Sequence, residues 1–440
     1  TNAMQDKPLP VYGDGQNISE DIKSMEEGEL IVPDPDSFDR LFTCVEVPGK
    51  YEGTEEETVT YEWELREGKK LLDYDDLEKV NYLSAPAVSP DGRYGAYVIR
   101  HAHKKTGFMI PHLYELKLNK EMDEDGVIPW QENLGSCQDL PAYSPDGRYL
   151  AYLCNGEVIC KEQPPMQIWI YDREEGRSQQ ITTARHGVKE FVWSPDSRTL
   201  AFTASWWKEE EESGEQFTEM TPEEREKWKK EKDGTPVIIE NLMYKLDEAY
   251  GVLDQSISHI CTVDLKTGFM KACTKGTGPY EKPVWSADGR KLAFYGKPYS
   301  HIKERTPAIF TYDAETEDMR QLDCKDMLLD DQDPVLWGAD ENIIFAAYEK
   351  EECGSYLRWL FGLNSETGEI KSLFTAEKPC HDIGTLALGR TACGNFNPAY
   401  QLNKERNRVY FRSAYMGQEA VYCLELQGHG EVRRITKGKY

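Results

Sequence analysis

The chain has 440 residues, of which 30% are charged, and 79 acidic side chains against 52 lysines and arginines give a net charge of −27. That balance argues against nucleic acid as a partner. No apolar run is long enough to span a membrane and no signal-peptide core opens the chain, so a soluble cytoplasmic protein with ample core is expected.

From the N-terminus, Thr1-Asn2-Ala3 ahead of Met4 reads as a cleavage scar, with Met4 as the expected native start. Residues 1–74 form an acidic extension, and roughly half of the net negative charge falls within residues 1–80. The ordinary reading is a solvated arm; the sharper one is steering of basic substrates. Two stretches of it, 38–48 and 58–66, alternate in the manner of strands.

The phrase Ser89-Pro90-Asp91-Gly92-Arg93 comes next, and it recurs. It returns as Ser144-Pro145-Asp146-Gly147-Arg148, Ser194-Pro195-Asp196-Ser197-Arg198 and Ser286-Ala287-Asp288-Gly289-Arg290. Ser-Pro-Asp-Gly fits a type I turn, with Pro pre-setting φ at the second position. Strand-like residues flank each copy. A third strand then ends in an acid, as in Ile168–Asp172, Ile260–Asp264 and Ile309–Asp313, and a fourth follows a polar turn. A four-strand unit repeating about every 50 residues predicts an all-β fold, a β-propeller. Two degenerate copies, Val335–Asp340 and Pro398–Asn407, bring the count to six recognisable blades over residues 75–440, with a seventh left open.

A charged insertion at about 205–240 interrupts the third blade. It opens on Glu209-Glu210-Glu211-Glu212, read as a solvated loop. A helix follows from Thr221, with Pro222 at its first position and Glu224 placed for a capping box, and it stops near Gly234. Its charge nearly all round makes it a solvated excursion.

The chemistry-bearing residues are sparse. The eleven cysteines include no CxxC pair, which favours a reducing compartment, and Cys154 and Cys423 are expected as small core residues. His101, His103 and His112 cluster in sequence, where a metal is the sharp reading and ordinary packing the bland one. Asp330-Asp331-Gln332-Asp333 offers oxygen ligands but lacks the Gly and terminal Glu of a calcium loop, so an exposed turn is expected. Trp193, Trp285 and Trp337 recur just before the turn; inter-blade core is favoured over an aromatic channel.

Asp76-Leu77-Glu78-Lys79-Val80 followed by Ser84-Ala85-Pro86-Ala87-Val88-Ser89-Pro90-Asp91-Gly92 resembles the opening of the propeller in acylaminoacyl-peptidase-like members of the prolyl oligopeptidase family. The stretch Val237–Asp247, then Gly251 and His259-Ile260-Cys261-Thr262-Val263-Asp264, is also similar to that family, where a charged insertion ends in such a strand. TolB-type propellers share the Ser-Pro-Asp-Gly phrase, so the opening segment and the insertion boundary carry the specificity. The resemblance covers roughly residues 75–440. It implies a cytoplasmic serine peptidase, of acylaminoacyl or dipeptidyl aminopeptidase kind, whose propeller caps and gates a C-terminal α/β-hydrolase domain acting on peptides. Trp206-Trp207-Lys208-Glu209-Glu210 bears a superficial likeness to the paired glutamates that hold a substrate amine in dipeptidyl-peptidase propellers.

That family's nucleophile sits in a Gly-x-Ser-x-Gly elbow. No such elbow occurs here; Gly135-Ser136-Cys137 and Gly354-Ser355-Tyr356 lack the spacing. The hydrolase half is therefore expected to lie outside this chain, which alone should hydrolyse nothing. No catalytic, cofactor or metal residue is assigned. A homo-oligomer is an expected state of an isolated propeller, through the apolar face the hydrolase would cover. Two other readings stay open: a self-standing TolB-like propeller that binds a protein, and a metal-dependent propeller lyase, for which His259, His301 and His381 are the candidate ligands.

Overall fold

The computed structural model describes residues 42–50, 57–65, 81–103, 108–118, 127–129, 137–155, 165–236, 256–276, 278–297, 307–324, 327–339, 341–349, 358–374, 383, 398–415, 418–427 and 430–436. The chain divides into two units, Thr1–Val80 and Asn81–Tyr440. In the first, β1 (Phe42–Lys50) pairs antiparallel with β2 (Glu57–Leu65), in register from Phe42 opposite Leu65 to Lys50 opposite Glu57. These are the two stretches whose alternation predicts strands.

The second unit is a β-propeller of six blades among the described residues, each made of strands consecutive in sequence. Blade 1 holds β3 (Asn81–Val88), β4 (Tyr94–His103), β5 (Phe108–Lys117) and β6 (Val127–Pro129). Blade 2 holds β7 (Gln138–Tyr143), β8 (Tyr149–Cys154), β9 (Gln167–Asp172) and β10 (Arg177–Gln180). Blade 3 holds β11 (Val188–Trp193), β12 (Thr199–Trp206), β13 (Ile257–Asp264) and β14 (Met270–Ala272), with α1 (Lys208–Ser213) and α2 (Pro222–Gly234) inserted after β12. Blade 4 holds β15 (Tyr280–Trp285), β16 (Lys291–Gly296), β17 (Ala308–Asp313) and β18 (Met319–Leu322). In blade 5 the first strand is split into β19 (Met327–Leu329) and β20 (Leu336–Trp337), both paired with β21 (Asn342–Glu349); β22 (Trp359–Asn364) and β23 (Ile370–Ser372) complete it. Blade 6 holds β24 (Tyr400–Leu402), β25 (Arg408–Tyr415), β26 (Gln418–Glu425) and β27 (Val432–Arg434).

The repeated phrase is one hydrogen-bonded device. Ser89 Oγ donates to Asp91 Oδ1 at 2.6 Å and accepts from Tyr94 N, while Arg93 N donates to the same carboxylate oxygen. Gly92 N donates to Ser89 O at 2.8 Å, closing the turn. The set recurs around Ser144, Ser194 and Ser286. The fourth residue sits at positive φ in every copy, 77° at Gly147 and 61° at Ser197, which favours Gly there.

First strands lie side by side around the centre: β3 meets β7, β7 meets β11, β11 meets β15 and β15 meets β20. Neighbouring blades cover both faces of a second strand. It therefore reads as a continuous apolar run, as in Leu150–Cys154 and Leu292–Tyr295, rather than alternating. The three tryptophans fill the inter-blade core as expected. All are buried, and Trp193 Nε1 reaches back one blade to donate to Ala142 O at 3.0 Å. Cys154 and Cys423 are buried too. Blade 1 contributes Ala85, Ala96, Val98 and Leu113 to a core shared with blade 2, whereas Leu83 and Val88 on β3 remain 67% and 61% exposed.

Candidate functional site

An antiparallel sheet puts successive connections at alternate ends. At one end of the blades lie the short turns 89–93, 144–148, 194–198 and 286–290, together with 173–176, 265–269, 314–318 and 365–369. At the other end the sequence joining β8 to β9, β12 to β13, β16 to β17, β21 to β22 and β23 to β24 is longer. Long connections held on a rigid frame are where function is usually built. The candidate site is therefore the centre of that second end, where the first strands begin.

Those strands begin irregularly. β-Bulges shift the register between Ser84 and Ala87, Asp139 and Ala142, and Glu281 and Val284, each just ahead of a proline that has no N–H for the ladder. Ala85, Leu140 and Lys282 occupy positive φ there. A bulge strips backbone N–H groups of their ladder partners, and carboxylates supply replacements. Leu140 N donates to Asp139 Oδ1 at 2.8 Å, Lys282 N of blade 4 to Glu190 Oε1 of blade 3 at 2.5 Å, and Ala399 N of blade 6 to Asp333 Oδ1 of blade 5 at 2.7 Å. Burial raises the Glu190 carboxyl above its usual value, against the opposing pull of its bonds from Lys282 N and Thr203 Oγ1.

Basic side chains complete the ring. Arg100 Nη2 of blade 1 meets Asp139 Oδ2 of blade 2 at 2.6 Å and its Nε donates to Ser84 Oγ. Lys189 Nζ donates to Ser258 Oγ at 2.6 Å, and Ser258 Oγ donates to Glu281 Oε1 at 2.9 Å. Lys282 Nζ donates to the carbonyls of Asp331 and Gln332, and Lys297 pairs with Asp331 at 2.5 Å. Arg358 meets Asp330 at 2.5 Å, and these two side chains are 4% and 9% exposed. The ring is thus polar and largely charge-matched. Among the described residues it presents no activated nucleophile. Ser258 donates its proton to Glu281 and accepts from Lys189.

Several sequence expectations change in this setting. Asp330–Asp333 is not an exposed turn: it interrupts the inner strand between β19 and β20, and Arg358, Lys297 and Ala399 N take up its carboxylates. Glu209–Glu212 is not a loop but part of α1. Within it Glu210 is buried, accepting from Arg185 Nε at 3.0 Å and Trp207 N at 3.0 Å and contacting His186 Nε2 at 2.8 Å. These contacts draw its carboxyl below the ordinary value despite burial. With its oxygens so engaged, Glu210 does not form an amine clamp with Glu209. The capped helix does match its expectation: Thr221 Oγ1 accepts from Glu224 N and Glu224 Oε2 from Thr221 N. His186, Trp207 and Trp228 pack at 4.5 to 5.2 Å between ring centroids and hold α2 against the third blade.

His101 and His112 stack with ring centroids 5.0 Å apart and planes within 9°, so the rings meet face to face rather than converging lone pairs on one point. Burial, then the neighbouring His101, lowers His112. The side chain of His103 lies outside the described residues, as do His301, His381, Gly135-Ser136 and Gly354-Ser355-Tyr356. His259 is buried against Trp206, 4.2 Å between centroids, and burial pulls it down to about 4. Two of the bulge carboxylates carried a sequence signal, an acid one or two residues before a proline, in Asp139-Leu140-Pro141 and Asp333-Pro334; Glu190 had none.

No family model matches the chain. Among curated proteins it is similar to the uncharacterized peptidase YuxL of Bacillus subtilis, 28% identical over 228 residues, covering 51% of this chain and 31% of that one. Among solved structures it is similar to the Pyrococcus horikoshii acylaminoacyl peptidase, with a TM-score of 0.55 and 17% identity, over 83% of this chain and 48% of that one. It is also similar to an oligogalacturonate lyase in complex with manganese, with a TM-score of 0.51 and 14% identity, over 90% of this chain and 84% of that one. The structural likenesses speak to the fold. The matched region spans about a third of the curated relative and about half of the acylaminoacyl peptidase. The chain is a β-propeller, with six blades among the described residues, and about half of it is similar in sequence to a peptidase.

Proposed function

We propose that this propeller is the accessory domain of a cytoplasmic serine peptidase, capping and gating an α/β-hydrolase domain and limiting its substrates to short or unfolded peptides. The observation that carries the reading is the sequence match to a peptidase, most of whose length lies outside the matched region. The polar inner ring supports a gate, because charge-matched side chains on rigid strands hold an opening without themselves reacting. Exposed Leu83 and Val88 supply apolar surface through which the isolated propeller would form homo-oligomers.

The test is the native protein in its own cells. A mass about 25–30 kDa above the 50.5 kDa of this chain leaves room for a hydrolase domain of roughly 250 residues. Labelling of that longer protein by a fluorophosphonate is the expected result. A native protein of this chain's own mass, unlabelled, would overturn the proposal.

A further inference from the structure

A cleft of about 320 Å³ opens between blades 5 and 6 at the end carrying the short turns, away from the inner ring. Its origin is visible in the register. In the third strands of blades 2, 3 and 4, Ile170, Thr262 and Thr311 stand opposite Ala151, Ala201 and Ala293. The equivalent pair in blade 5 is Gly362 opposite Ile344, so the third strand carries no side chain there and the second carries a larger one. A Cβ added at Gly362 would come within 3.1 Å of Leu373 Cδ2. The turn above also departs from the repeated phrase, with Gly338-Ala339 in place of Ser-Pro.

Arg406, on the first turn of blade 6, forms one wall of this cleft. It is half-buried, and burial lowers its affinity for its proton. Its Nη1 donates to Trp337 O at 2.6 Å. Arg406 stands where the repeated phrase has Gly, at a φ of 54°; among the described residues no carboxylate lies within ion-pair distance of it, and the charge of Asp288 acts on it without a bond. A partly desolvated guanidinium without a counter-ion is costly unless an anion joins it, and its fork geometry suits a carboxylate. Lys371 and Glu369 at the rim pair with each other at 3.0 Å, which leaves Arg406 as the positive charge of the cleft, while Ile344, Leu373 and Leu426 supply apolar wall. The volume is at the lower end of the roughly 300–1,000 Å³ usual for ligand pockets.

We infer that this cleft binds a carboxylate carried on a compact apolar group, the carboxylate on Arg406 and the apolar body over Ile344 and Leu373. A free N-acylated amino acid and the C-terminal residue of a peptide both have this chemistry.

Calorimetric titration of the full chain with N-acetyl-leucine, N-acetyl-leucinamide and an acetylated tetrapeptide ending in leucine tests it. Saturable binding of the acid is expected, with the amide at least about tenfold weaker because the charge-assisted pair is lost. Comparable affinity for the tetrapeptide identifies a peptide terminus as the source; binding of the small acid alone identifies the free acid. R406Q should weaken the acid about tenfold. G362T, which restores the residue found in blades 3 and 4, should exclude it while the melting temperature stays near wild type. R93Q, altering an exposed arginine at the same end, should leave it unchanged. Should R406Q fail to fold, R406K and G362T decide. Equal binding of acid and amide, wild-type affinity in G362T, or no binding of either carboxylate would overturn the site.

Discussion

The two ends of each blade are held by different means. At the end with the short turns, one device of four side-chain and backbone bonds is copied in blades 1 to 4, and the partners in each copy lie within five residues of one another. At the other end the backbone bulge recurs but the bonds run between blades: Arg100 reaches Asp139, Glu190 reaches Lys282 N and Asp333 reaches Ala399 N, each joining a different pair of blades. The contrast teaches where single residues matter. Local, redundant bonds hold each turn by itself, so a blade tolerates a damaged copy. A bond made once, between blades and away from water, has no substitute.

The largest effect should therefore come from the irregular end. Arg358 and Asp330 are nearly inaccessible, and Arg358 also lies 3.8 Å from Asp333. Arg358→Ala leaves two carboxylates without their counter-ion inside the inner ring. We expect a loss of about 3–5 kcal/mol, the usual cost of breaking a buried pair from one side, read from urea unfolding. A loss below about 1 kcal/mol would mean that water reaches this ring freely.

His259 tests the same end by pH. Its folded value near 4 lies below the usual 6.5, chiefly because burial disfavours the charged ring. The native state thus binds fewer protons than the unfolded chain between those values. Stability from this group is complete above pH 6.5 and declines as the pH falls toward 4, by roughly 3 kcal/mol in all. His259→Phe keeps a ring against Trp206 and removes the titration. The difference between wild type and variant should shrink as acid is added, and parallel curves would refute the assignment.

A smaller effect belongs to the repeated turns. Gly147 has φ of 77°, and a Cβ there would meet only Pro90 Cδ at 3.8 Å, an ordinary contact, so Gly147→Ala meets backbone strain rather than a clash. About 1–2 kcal/mol is expected, and Ser197, already at 61° in the third copy, shows that the fold accommodates that cost. A cost matching that of Arg358→Ala would erase the distinction between the two ends.

The same contrast governs what could be read from the chain. The turn, the four-strand unit, the inter-blade tryptophans and the capped helix were legible because each is written in residues adjacent in sequence or at strand period. Asp330–Asp333 and Glu210 were misread as solvent-facing, because acids in a run carry no mark of burial. What buries them is Arg358 after the next long connection and Arg185-His186 on the loop from blade 2. Asp139 and Asp333 had a local signal, the acid before a proline, whereas Glu190 had none, and the partners of Glu190 and Asp333 are backbone N–H groups in a neighbouring blade. The cleft at Arg406 was invisible for a further reason: it arises from a side chain that blade 5 lacks.

The insertion supplies the smallest effect and the sharpest control. The capping box at Thr221 and Glu224 is as local as the repeated turns, but α2 is exposed along most of its length and belongs to no blade core. Thr221→Ala removes the acceptor for Glu224 N, a change worth about 1 kcal/mol to a helix. The blades share none of that bond, so the unfolding midpoint of the propeller should stay within about 0.5 kcal/mol of wild type. Hydrogen exchange at the first turn of α2 should quicken severalfold over the same comparison. A drop in global stability as large as the local one would show that α2 melts with the ring. The packing of Trp228 against Trp207 and His186 would then tie the insertion to blade 3 as firmly as the blades are tied to each other.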